Sequence, residues 1–164
     1  MQENGEDEVE AGCAAFGVGI TLIEPFGEIK RAKERRDWFA GLATSVSYFE
    51  YFATNALKSY FKFHGIGLDQ KTGELKKDFS KLVEKLGARR LVNLLHGFDL
   101  LNDEDYRQII GIIIERNNLV HQHRKGAGYR YRCEEGFGKL LDQAISCLEV
   151  LQMIRPDQKK TANL

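Results

Sequence analysis

Three side chains that could act together on a phosphate group lie near the end of one predicted helix. The helix covers residues 103–122, and its stretch 115–121 is ERNNLVH. An arginine supplies a forked cationic donor, an asparagine an orienting amide, and a histidine a group that exchanges protons near neutral pH. Arg116, Asn117 and His121 are therefore the candidate catalytic residues.

The two faces of this helix differ in composition. One face is polar at helical spacing and consists of Glu104, Gln108, Gly111, Glu115, Asn118 and Gln122. The opposite face is predicted to point to the core and consists of Tyr106, Ile110, Ile113, Asn117, Val120 and His121. Arg116 lies on the flank, about 140° around an ideal helix from His121. The two side chains therefore converge only where the helix end distorts or a second subunit contributes.

A purely structural explanation of these residues stays open. In that alternative Asn117 hydrogen-bonds between helices, Arg116 pairs with an acid such as Glu115, and His121 caps the helix C-terminus, where cations are favoured. The sequence predicts no metal site and no cofactor. Its histidines are dispersed and its cysteines form no C-x-x-C pair: His64, His96, His121, His123, Cys13, Cys133 and Cys147.

Charge and composition limit the class of protein. The 164 residues include 24 Lys and Arg against 24 Asp and Glu, so the formal net charge is zero, which argues against a histone-like polyanion binder. Residues 1–25 are predicted to be an acidic tail and a short extended arm, residues 26–156 a helical domain, and residues 157–164 a C-terminal tail. Unpaired cysteines and the lack of a long apolar run indicate a cytoplasmic protein with no membrane partner.

Apolar residues at spacings of three and four predict an all-α fold. Helices are expected over about 30–64, 75–86, 91–101, 103–122 and 134–155, with turns over 65–74. Amphipathic helices joined by short loops are typical of an antiparallel, up-down bundle of four to five helices.

A basic segment follows the helix that ends with the candidate catalytic residues. Its cations and aromatic rings, without any acid, suit a loop that follows a single-stranded backbone and stacks bases. The candidate RNA-binding residues are His123, Arg124, Lys125, Tyr129, Arg130, Tyr131 and Arg132. A solvated surface loop is the alternative. A second basic stretch, residues 30–36, is interpreted as a mixed-charge exposed face.

The stretch ERNNLVH resembles the signature of the HEPN superfamily, which is an Arg, a polar residue and a His after four to six intervening positions. Arg116, Asn117 and His121 match those three positions. The resemblance extends over about residues 30–155 as a pattern of helices. Glu50 and Lys58 also resemble polar positions that are common in the first helix of the family.

The resemblance implies a HEPN-like four-helix bundle that forms a homodimer, with two motifs facing one another across a cleft. It also implies a metal-independent endoribonuclease, plausible as a toxin or antiphage effector with an antitoxin protein as a possible partner. Some members bind RNA or nucleotides without cutting, so a non-catalytic binding or interaction module is the alternative. One toxin subgroup has a Tyr two residues after the His, where this chain has His123, so control by modification of that Tyr does not carry over.

Overall fold

The computed structural model describes residues 25–124 and 134–157, and over those residues the protein is all-α. The helices are α1 (Pro25–Glu34), α2 (Trp38–Phe63), α3 (Lys77–Glu84), α4 (Ala88–Gly97), α5 (Asp103–Arg124) and α6 (Glu134–Met153). The only β feature of this part of the chain is an isolated antiparallel bridge between Leu68 and Leu75. The prediction of an all-α fold is confirmed, whereas the up-down bundle topology stays a prediction.

The prediction of a single helix over residues 30–64 was wrong, because two helices occupy this stretch. Arg36 adopts a positive φ of 56° and interrupts the helical backbone. Asp37 then caps α2, and its carboxylate accepts a hydrogen bond of 3.0 Å from the backbone N–H of Ala40. A good N-cap and a left-handed residue together start a new helix even though the apolar periodicity continues.

Helix α2 is the central element of the fold and packs against all five other described helices. Its apolar residues at spacings of three and four form an inward stripe that is buried, at Leu42, Val46, Phe49, Ala53, Leu57 and Phe61. Gly41 permits the close approach of α6, because a Cβ there would lie only 2.7 Å from Cδ1 of Leu141. Trp38 at the start of α2 stacks on Phe137 of α6, with ring centroids 5.9 Å apart. This packing fixes the last described helix against the centre of the core.

The connections fix α4 and α5 beside one another. Turns occupy most of residues 64–76, as predicted, with positive φ at Gly65, Gly67 and Gly73. Asn102 caps α5, since its side-chain oxygen accepts a hydrogen bond of 2.8 Å from the backbone N–H of Asp105. The acidic first turn of α5 lies at the positive end of the helix dipole, which confirms the predicted helix start.

Within residues 25–124 and 134–157, no helix is both long and apolar enough to cross a bilayer.

Candidate functional site

The face of α5 that is buried differs from the predicted one. The buried residues are Ile109, Ile112, Ile113 and Leu119, so the helix is rotated relative to the prediction. Tyr106, Ile110, Asn117 and Val120 are only half-buried, and His121 is exposed. The prediction failed because the isoleucines cover more than half of the helix circumference. The apolar pattern alone therefore leaves the inward direction open, and packing against the other helices decides it.

This rotation places Arg116 in line with the core. Arg116 is seven residues after Ile109, which corresponds to nearly two helical turns and the same face. The guanidinium is half-buried, and its Nε has no hydrogen-bond partner although the atom is buried. Its Nη1 donates a hydrogen bond of 3.0 Å to the side-chain oxygen of Asn117. Arg116 is thus a half-buried cation with one neutral partner and one buried donor atom that lacks a partner, which is a cost for folding alone.

The structure does not show the ion pair of the purely structural explanation. The described ion pairs involve other residues, and no carboxylate in the described part of the chain pairs with Arg116. Asn117 bonds to its neighbour Arg116 rather than across to another helix. The adjacent amide and guanidinium therefore stabilise one another locally, while the buried Nε stays without a partner.

Arg116 and Asn117 line a cleft of about 410 Å³ between α2, α4 and α5. We call it the arginine cleft, and its polar side chains are Glu50, Arg89, Arg90, Arg116 and Asn117. Val46, Ile113 and the backbone at the start of α4 complete its walls. Its volume lies within the range of about 300–1,000 Å³ that is typical of ligand pockets. Two residues of the candidate catalytic set thus share one opening to solvent.

His121 does not line the arginine cleft. Helix α5 is continuous from Asp103 to Arg124, so the helix end does not distort between Arg116 and His121. An undistorted helix separates the two residues by about 140° and about 7.5 Å along the axis. One chain therefore brings Arg116 and Asn117 together and presents His121 on a different, exposed face.

Helices α4 and α5 are joined by polar and aromatic contacts next to the first turn of α5. The ring of His96 stacks on that of Tyr106, with centroids 4.3 Å apart. His96 Nε2 lies 2.8 Å from a carboxylate oxygen of Asp103, and the hydroxyl of Tyr106 donates to the side-chain oxygen of Asn93 at 3.1 Å. These contacts fix the relative position of α4 and α5, which both line the arginine cleft.

Arg89 and Arg90 were not among the predicted site residues, although both lie in the cleft. The available signal was their position, because two arginines closely follow Gly87 in the first turn of a helix, where acids are normally favoured. Glu50 was identified through the family resemblance, and it does line the cleft. Lys58, the other such position, instead forms an ion pair with Glu84.

The predicted RNA-binding segment falls largely outside the described residues. His123 and Arg124 belong to the last turn of α5, but their side chains are outside the described set. Lys125, Tyr129, Arg130, Tyr131 and Arg132 are outside it entirely, and so is the acidic tail. Their predicted contact with RNA stays a prediction.

Other reactive side chains lie apart from the cleft. In the described part of the chain, no three His, Cys, Asp or Glu side chains lie close enough to hold a metal ion. Cys147 is buried in α6, and this burial raises its pKa to about 12, so the thiol stays protonated near neutral pH. Cys147 is therefore a core residue rather than a nucleophile.

Comparison of the chain with protein-family models, curated proteins and solved structures gives no match. The all-α fold and the arginine cleft are therefore the features that bear on function.

Proposed function

We propose that this protein is a HEPN-like, metal-independent endoribonuclease that cuts single-stranded RNA. The observation that supports this most strongly is the guanidinium of Arg116. It is partly buried, it opens onto a cleft, and no carboxylate of the described residues neutralises it. A phosphodiester is the ligand whose charge and geometry match a forked cationic donor.

The reaction uses the ribose of the substrate as its nucleophile. The 2′-hydroxyl loses its proton and attacks the adjacent phosphorus, and the bond from phosphorus to the 5′-oxygen breaks. The leaving oxygen takes up a proton, so the products carry a 2′,3′-cyclic phosphate and a 5′-hydroxyl. His121 transfers the proton, Arg116 stabilises the negative charge of the transition state, and Asn117 holds the guanidinium through its side-chain oxygen.

A second copy of the chain supplies the histidine of each site in this proposal. Because α5 is undistorted, Arg116 and His121 of one chain point in different directions. His121 lies one to three turns along a partly exposed stripe of α5 from Asn117, Ile114 and Ile110, and Ile114 is 42% exposed. Two α5 helices packed along this stripe would cover its isoleucines and bring His121 of each copy to the arginine cleft of the other.

The test is cleavage of labelled single-stranded RNA in the presence of EDTA. We expect products with cyclic phosphate and 5′-hydroxyl ends, and no cleavage of DNA of the same sequence, which lacks the attacking group. An oligonucleotide with one ribose among deoxyriboses should be cut only after that ribose. No cleavage at high protein concentration, or cleavage only when a metal ion is added, would contradict the proposal.

A non-catalytic RNA- or nucleotide-binding protein is the second candidate. The observation that favours it is the absence of His121 from the arginine cleft of its own chain. In that case the cleft would bind phosphates without a group that transfers protons. A toxin or antiphage role and an antitoxin partner belong to the enzyme proposal and rest on the family resemblance. The proposed cytoplasmic location rests instead on the unpaired cysteines and the lack of a long apolar run.

A further inference from the structure

The first turn of α4 has an unusual charge for a helix start. Gly87 is its N-cap and provides no side-chain hydrogen bond, and the first turn contains no acid. Arg89 and Arg90 occupy the second and third positions of the helix. Cations at the positive end of a helix dipole are unfavourable, whereas an anion there is stabilised both by the dipole and by open backbone N–H groups.

These two arginines are exposed and have no ion-pair or hydrogen-bond partner for their side chains in the described part of the chain. They line the same cleft as Arg116. Glu50 is the only carboxylate among the residues that line it, so three cations face one anion. The buried Nε of Arg116 without a partner is an independent sign that the hydrogen bonding of this guanidinium is incomplete.

We infer that Arg89 and Arg90 bind a second phosphate of the RNA strand, next to the phosphate that Arg116 holds. This inference rests on the proposed function, since it takes RNA as the ligand of the cleft. Two neighbouring phosphates held by one rigid wall would fix the position of the scissile bond relative to Arg116. Arg89 and Arg90 are positioning residues in this account, because they contact the strand away from the reacting atoms.

A variant of Glu50 should change RNA binding in the direction opposite to variants of Arg89 and Arg90. Its carboxylate is half-buried, lines the cleft and has no ion-pair partner among the described residues. Removal of its charge by Glu50→Gln should strengthen binding of a phosphate strand, while removal of Arg89 and Arg90 should weaken it.

The experiment measures binding of a fluorescein-labelled, fully 2′-O-methylated RNA decamer by anisotropy at several salt concentrations. This probe has no free 2′-hydroxyl and is not cut, so binding is measured whether or not the protein is a nuclease. The double variant Arg89→Gln, Arg90→Gln should bind about tenfold or more weakly than wild type at low salt. Its slope of log affinity against log salt should be shallower by about 0.7 for each phosphate that the variant no longer neutralises.

The matched control is Arg31→Gln, Arg35→Gln, which removes the same charge from two exposed arginines outside the cleft. We expect the control to bind within about twofold of wild type, and circular dichroism to show both variants folded, since all four arginines are exposed. Equal losses in both double variants, no loss in the cleft variant, or no binding by wild type at low salt would overturn the inference. Selective loss in the cleft variant would support it even if wild type failed to cut ordinary RNA, in which case only the nuclease proposal fails.

Discussion

Two clefts of similar size in this protein differ in whether their basic side chains are paired with carboxylates. The arginine cleft, about 410 Å³, contains arginines without carboxylate partners among the described residues. The second cleft, about 390 Å³, lies between the α1 end and α6, and we call it the paired cleft. There Nζ of Lys33 donates to both carboxylate oxygens of Asp142, at 2.6 and 2.7 Å. The ion pair of the paired cleft joins two helices. The arginines of the other cleft have no such pair, which agrees with the proposal that they bind a phosphate ligand.

The stretch of residues 30–36 shows why a count of basic residues does not identify a binding site. It contains more basic residues than the start of α4, yet Lys33 is neutralised across the helix contact by Asp142. Its interpretation as a mixed-charge face agrees with this pair. What distinguishes Arg116 is a buried donor atom without a partner, a property of packing rather than of composition.

The largest effect is expected on the rate of RNA cleavage when the proposed proton-transfer group, His121, is removed. His121→Ala should lower the rate of RNA cleavage by about 10²- to 10⁴-fold, the contribution typical of general acid–base catalysis. Because His121 is exposed, the melting temperature should stay close to that of wild type. The measurement is the single-turnover rate on labelled RNA, with His64→Ala as the control for another exposed histidine. Equal rates for His121→Ala and wild type would remove His121 from the mechanism.

The next effect concerns stability and activity together. Arg116→Met should abolish cleavage and raise the free energy of unfolding by about 1 kcal/mol or more, because an unsatisfied buried donor costs about 1–3 kcal/mol. Lys33→Met in the paired cleft should leave cleavage unchanged and shift stability by about 0–1 kcal/mol. Urea denaturation and the cleavage assay measure both. A loss of stability in Arg116→Met would mean that Arg116 is part of the scaffold.

The hydrophobic core is a third environment, in which burial raises the pKa of the Cys147 thiol. The buried thiol of Cys147 has a pKa of about 12 in the folded protein, above its ordinary value of 9.0. A raised folded pKa gives stability that is complete below about pH 9 and is lost as pH rises from about 9 towards 12. Cys147→Val should therefore lose less stability than wild type over this range, as measured by urea denaturation at about pH 8 and about pH 10.5. Equal alkaline losses in both proteins would contradict the assigned cause, which is burial. At Arg116 the effect of burial is different, because it leaves the Nε of the guanidinium without a hydrogen-bond partner.

The smallest effect is expected in the paired cleft. Asp142→Asn removes one partner of an ion pair whose side chains are 38% and 58% exposed, so stability should change by less than about 1 kcal/mol. RNA cleavage should be that of wild type. A loss of cleavage comparable with that of Arg116→Met would break the distinction between the two clefts.

Much of the fold could be predicted from the sequence, because apolar spacing and capping residues are local signals. The inward stripe of α2, the cap at Asn102 and the turns after Phe63 follow directly from residue types and spacing. The break at Arg36 could not be predicted, since a positive φ at an arginine has no sequence signal. The apolar spacing continues through this stretch, whereas the helical backbone ends at Glu34 and begins again at Trp38.

The candidate site was predicted only in part. The motif identified Arg116 and Asn117, and these do share a cleft. Their orientation depended on which isoleucines of α5 face the core, and that is decided by packing against helices distant in sequence. Arg89 lies in the site because α4 packs against α5. This contact joins residues that are distant in sequence, so no local sequence pattern predicts it.

The proposed nuclease site is shared between two copies of the chain, and mixing two inactive variants tests this sharing most directly. In the proposed dimer, a functional site needs Arg116 of one copy and His121 of the other. Arg116→Met and His121→Ala should each be inactive alone. After mixing in equal amounts and exchange of subunits, about one quarter of wild-type cleavage should return, because about half of the dimers are mixed and each has one intact site. A mixture no more active than its separate components would contradict the shared site.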